Sequence, residues 1–97
     1  MVFDSWSATI VIDAVKFAKA KDGNTIRVFI KDKGSDYNAI FKHVDSWGDW
    51  DEFQALKKDT DEYFESTVTE AVLEELQSAG LRFQGLGFTI VEVHLIP

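Results

Sequence analysis

The spacing of apolar positions changes several times along the chain, and each change predicts an element. From Thr25 to Lys31 apolar and polar residues alternate, with Ile26, Val28 and Ile30 on one face and Arg27 and Lys31 on the other, the period of a half-buried strand. Just before it, Asp22-Gly23 suits the positive φ angles of a tight turn. A hairpin is therefore expected, with Val15 and Phe17 opposite Ile30 and Val28, and Lys16 on the basic side. In that register Asp13 meets Asp32, and Ile10 and Ile12 fall out of phase, faults that a bulge near Asp13 would mend. The rival is a helix from about 7 to 21, because Thr9, Asp13 and Lys16 share a helical face, but the β-branched run Thr9-Ile10-Val11-Ile12 favours a strand. After the polar turn Asp32-Lys33-Gly34-Ser35-Asp36, residues 37–44 resume an extended pattern with Ile40 and Val44 on one face. Together these segments predict a three-stranded antiparallel meander.

The period then lengthens. Asp49-Trp50-Asp51-Glu52 has the Asp-x-x-Glu form of a capping box, with Phe53 and Leu56 as the buried side of the helix it would open. Further starts at Asp59-Thr60-Asp61-Glu62 and Thr67-Val68-Thr69-Glu70 predict a helical segment broken at least once. Phe64, Val68, Ala71, Val72 and Leu76 form one apolar stripe, with Glu65, Glu70, Glu74 and Glu75 mostly off it, and Gly80 ends the helix. Leu81 to Phe83 and Phe88 to Ile96 read as extended, with Gly85 and Gly87 marking a turn or bulge between them. Both faces of the last stretch are apolar, which favours a central strand. The expected fold is a single α+β domain over residues 1–97: an antiparallel meander, a broken helical segment and a C-terminal strand. They would build a four- or five-stranded mixed sheet with helices on one face.

Composition supports a real core in 97 residues, since 45% are hydrophobic and eight Phe, three Trp and two Tyr supply bulk. The absence of Cys excludes disulfides, thiolate metal sites and thiol catalysis. No apolar stretch approaches the ~20 residues of a spanning helix, and Met1-Val2-Phe3-Asp4 lacks the features of a secretion signal, so a cytoplasmic location without membrane contact is expected. Charge alters the picture most. The net charge is −7, and it is unevenly spread: residues 1–43 carry five acids and seven bases, whereas residues 44–97 carry twelve acids against Lys57, Lys58 and Arg82. Such a surface repels nucleic acid and attracts basic partners.

The densest cluster, Asp45-Ser46-Trp47-Gly48-Asp49-Trp50-Asp51-Glu52, combines four carboxylates with two indoles. Its spacing does not follow a calcium loop, which alternates oxygen ligands over a dozen residues. Exposed Trp beside acids is instead the composition of an interface anchor. His43 and His94 are the only histidines, and with Asp45 and Glu92 they would converge if the third and last strands were neighbours. No Gly-x-Ser-x-Gly elbow is present, and Gly85-Leu86-Gly87 lacks the third glycine of a phosphate loop. The basic hairpin face (Lys16, Lys19, Lys21, Arg27, Lys31) lacks a stacking aromatic and reads as a solvated face. Gly87-Phe88-Thr89-Ile90-Val91-Glu92-Val93, preceded by a strand pair and a helix, resembles a strand of the fourth domain of translational elongation factor G. No GTP-binding motif accompanies it, and no function or residue role is carried over.

These features lead to the expectation of a non-enzymatic, acidic protein-protein interaction module of inhibitor, immunity or nucleic-acid-mimic type. Its partner would be a basic protein surface, for example that of a nucleic-acid-binding protein. The expected partner-binding residues are Trp47, Asp49, Trp50, Asp51, Asp61, Glu62, Glu65, Glu70 and Glu74, with no cofactor and no metal. The alternative is a small enzyme or ligand-binding domain with a site around His43, Glu92 and His94.

Overall fold

A computed structural model describes residues 2–57 and 62–97. Among the described residues the strands are β1 (Val2–Phe3), β2 (Thr9–Ile12), β3 (Thr25–Lys31), β4 (Asn38–Lys42), β5 (Leu56–Lys57), β6 (Tyr63–Thr67), β7 (Leu81–Leu86) and β8 (Phe88–Ile96), with one α-helix, α1 (Glu70–Ser78). They form two sheets, one in the order β1-β8-β3-β6-β5 and the other in the order β2-β7-β4, and every pairing is antiparallel. The α+β class holds, whereas the single mixed sheet and its meander do not. Consecutive strands lie in opposite sheets throughout, except for the pair β5 and β6. β3 is therefore flanked by β6 and β8, and β4 pairs with β7 in the other sheet.

The two sheets are joined by aromatic rings. Phe3 stacks on Phe88 with centroids 5.0 Å apart, and Phe83 meets Phe3, Phe41, Phe64 and Phe88 edge-on or tilted. Ile26, Val28 and Ile30 are buried on the inner face of β3, as the alternation requires. In β8 the phase changes once: Ile30 faces Ile90 while Phe29 faces Glu92, which leaves Val91 as the extra residue of a bulge. Phe88, Ile90, Val93 and Leu95 can thus all pack on the core although they do not share one strict alternation. Val91 is turned to solvent.

Before β3 the strand reading holds for Thr9–Ile12 but not for its continuation through Val15 and Phe17, and the rival long helix is absent. β2 takes the β-branched run and pairs with β7, while Ala14–Phe17 is a short 3-10 turn whose N-cap Asp13 accepts a hydrogen bond from the Val15 amide. Phe17 is buried and Val15 exposed, so the proposed Val15–Ile30 pairing is absent. Nor does Asp49 open a helix: residues 51–53 form a turn, Phe53 is buried, and Leu56 is exposed on the short edge strand β5. The start proposed at Asp59 falls largely outside the described residues. The start proposed at Thr67 falls two residues early: Thr67 is the last residue of β6, and α1 begins after Thr69, whose side chain makes no capping hydrogen bond, while Gly80 follows its C-terminal end as expected. Of the apolar stripe, Phe64, Val68, Val72 and Leu76 are all fully buried, but Phe64 belongs to β6, Val68 to the connection, and Ala71 is exposed.

Two glycines make this crossing of sheets sterically feasible. Gly80 has φ 90°, and a Cβ there would lie 2.3 Å from the Ile12 carbonyl oxygen. Gly87, at φ 85°, is the one-residue corner through which β7 in one sheet becomes β8 in the other. The helix is fastened to the 3-10 turn and the residues after it: Gln77 Nε2 donates to the carbonyls of Phe17 and Ala20 at 3.2 and 3.3 Å.

Candidate functional site

The acidic cluster continues from β4. The Trp50 amide donates to the Phe41 carbonyl and the His43 amide to the Gly48 carbonyl, so residues 41–50 double back as a tight loop. Lys42 closes its base, with Nζ 2.9 Å from Asp49 Oδ1 and 3.1 Å from the Trp47 carbonyl oxygen. At the tip Trp47 adopts left-handed backbone, φ 64°, a conformation that costs a non-glycine residue about 1–2 kcal/mol. Its ring lies 3.6 Å from the guanidinium carbon of Arg82, and that guanidinium also donates to the Val44 carbonyl at 3.0 Å. Trp47 remains 52% exposed.

Trp50 behaves oppositely. It is 1% exposed, packs edge-on against Phe53, and donates from Nε1 to Glu52 Oε1 at 3.1 Å. Its expected role as an interface anchor is corrected: burial makes it a core residue, and only Trp47 of the pair offers a surface. His43 stacks on Trp50 with ring centroids 4.7 Å apart, and its Nδ1 lies 2.6 Å from Glu75 Oε2 on α1.

This contact fastens the loop to the helix and frames a shallow groove. The groove, about 410 Å³, is lined by His43, Asp45, Ser46, Glu75, Ser78 and Ala79. Ser78 also borders a second hollow of about 420 Å³ with Glu70, Leu73, Glu74 and Gln77, so the carboxylates of the loop and of α1 flank one continuous surface. The helix carries no Lys or Arg. Asp51, Glu52, Glu70 and Glu74 are exposed, with no Lys or Arg ion pair among the described residues.

The remaining expected binding residues divide. Asp49 is exposed but tied to Lys42. Glu65 is half-buried and held by Arg27 at 2.9 Å, on the five-stranded sheet. Glu62 is exposed beside the start of β6, where its carbonyl accepts from the Ile30 amide. Asp61 lies outside the described residues. His43 and His94 take separate partners: His43 follows β4 and contacts Glu75, whereas His94 sits in β8 and contacts Glu92. Among the described residues no group of three or more His, Asp or Glu side chains is placed to hold a metal ion. The sequence offered no signal for the pairing of His43 with Glu75, which are 32 positions apart and meet only through tertiary packing.

No helix of the described residues is long and apolar enough to cross a membrane. Comparison of the chain with protein-family models, with curated proteins and with solved structures finds no match.

Proposed function

We propose that this protein is a non-catalytic interaction module whose acidic face, formed by α1 and the 43–52 loop, docks on a basic protein surface. The observation that supports this reading is the run of carboxylates along one surface from exposed Asp45 and part-exposed Glu75, which His43 contacts, past Ser78 to exposed Glu70 and Glu74, on a helix without bases. Such a field accelerates encounter with a cationic partner and disfavours direct contact with phosphates. Trp47, half-exposed and held flat by Arg82, supplies an aromatic anchor at the rim. Inhibitors, immunity proteins and nucleic-acid mimics all use acidic faces of this kind, and a nucleic-acid-binding protein is a fitting partner.

Reversing the face with Glu70→Lys and Glu74→Lys tests the reading. Association with a basic partner captured at low salt should slow about tenfold or more and lose most of its salt dependence, while folding persists. Capture unaffected by the reversal removes the acidic face from the interaction.

A second reading, a small catalytic or ligand-binding site, is favoured by the Nδ1 contact of His43 with Glu75 beside Ser46 and Ser78. A carboxylate at Nδ1 orients an imidazole for proton transfer at Nε2. This reading keeps His43 but replaces Glu92 and His94 with Glu75. It prevails if His43→Ala abolishes biological activity in a folded protein that tolerates the charge reversal.

A further inference from the structure

β8 is nine residues long, yet β1 pairs only with Thr89 and Phe88. From Ile90 to Ile96 its outer edge has no strand neighbour among the described residues. The direction of the free backbone groups follows from β3. The Val68 amide donates to Asn24, and the Ile30 amide donates to Glu62, so even-numbered residues of β3 turn their peptide groups toward β6. Thr25, Arg27 and Phe29 consequently turn theirs toward β8, where they face Ile96, His94 and Glu92. On β8 the groups left pointing outward belong to Val93 and Leu95, with Val91 in the bulge.

A long unpaired edge is a template for another strand, and the side chains of this one select its occupant. We propose that a second copy of the chain pairs with it, β8 against β8 in antiparallel fashion about a two-fold axis at Val93, joining two five-stranded sheets into one. Only registers that oppose outward-pointing residues can form hydrogen bonds, which limits the central choices to three. An axis at Glu92 sets Glu92 against its own copy, and an axis at His94 sets His94 against its own copy. The axis at Val93 sets Glu92 of each protomer opposite the partner's His94 and Val91 opposite the partner's Leu95. Side-chain complementarity therefore favours the Val93 register, since each Glu92 carboxylate there faces an imidazole that can donate an N–H to it, whereas the Glu92 register opposes two carboxylates, a destabilising pair.

The local environment suits this pairing. Glu92 and His94 already contact each other on the solvent face of the sheet. Phe29 packs edge-on against the His94 ring with centroids 4.8 Å apart, which restricts its orientation. Val93 and Leu95 are only half-buried at the edge of the core, so a partner strand would complete their cover. Two-fold pairing is self-limiting, because each protomer uses its single β8 edge once.

Sedimentation of the full chain from micromolar to millimolar concentration tests the proposal. The wild type should reach a dimer. His94→Glu, which sets Glu against Glu, and Glu92→His, which sets His against His, should each weaken dimerisation about tenfold. The exchanged double variant, Glu92→His with His94→Glu, should recover it, because each carboxylate again faces an imidazole. Circular dichroism of every variant checks that the monomer fold is intact, and these exposed positions leave the core untouched. A wild type monomeric at millimolar concentration overturns the proposal, as does a dimer indifferent to the single changes or one that the exchange fails to restore.

Discussion

His43 Nδ1 lies 2.6 Å from Glu75 Oε2, joining the residue that follows β4 to the last turn of α1. The contact aligns the acidic loop with the acidic helix, so the proposed docking face depends on a pair whose members are distant in sequence. Both side chains are part-exposed, which limits the energy of their contact to about 0.2–1 kcal/mol. A double-mutant cycle of His43→Ala and Glu75→Ala in urea should return a coupling in that range. A coupling indistinguishable from zero would mean that the stacking of His43 on Trp50 holds the loop instead.

The two tryptophans of the loop should respond very differently. Trp50→Ala removes a buried ring and should cost about 3–5 kcal/mol. Trp47→Gly loses the contact with Arg82 but relieves a left-handed backbone, terms of about 1 kcal/mol each and opposite sign, so its melting temperature should stay close to that of the wild type. Partner binding, by contrast, should weaken. Equal destabilisation by the two changes would contradict their assigned places.

Leu76 of α1 is fully buried in the hydrophobic core. Leu76→Ala should lower stability by about 2–5 kcal/mol through lost burial and the residual cavity. A variant that melts with the wild type would show that α1 does not pack on the core.

Glycine substitutions separate backbone strain from collision. Gly23 and Gly80 have nearly equal φ angles, 95° and 90°, but a Cβ at Gly23 meets nothing within 4 Å, whereas at Gly80 it meets the Ile12 carbonyl at 2.3 Å. Gly23→Ala should therefore cost only the conformational term, about 1–2 kcal/mol. Gly80→Ala should cost clearly more, because the end of β2 at Ile12 would have to move away. Chemical denaturation of both variants gives the comparison, and a Gly80→Ala variant no less stable than Gly23→Ala would remove the close approach.

Much of the chain's local character was legible without coordinates. The alternation in Thr25–Lys31, the helix ending at Gly80, and the burial of Val72 and Leu76 on its inner face depend on side-chain period and on glycine geometry, which are local properties. So does the charge imbalance, which follows from composition alone. What the period of a strand does not contain is its partner. Whether Ile26 to Ile30 pair with the preceding or a later segment depends on which pairing closes a core, and here that core needed strands placed alternately in two sheets. Asp49-x-x-Glu52 met the local requirement for a helix, yet burial of Phe53 against Phe41 and Trp50, with the Trp50 amide bonded to the Phe41 carbonyl, kept the segment as a turn. The β8 bulge, the separation of His43 from His94, and the contrasting fates of Trp47 and Trp50 were likewise decided by packing. Each is set by residues far away in sequence, through contacts that exist only once the two sheets have met.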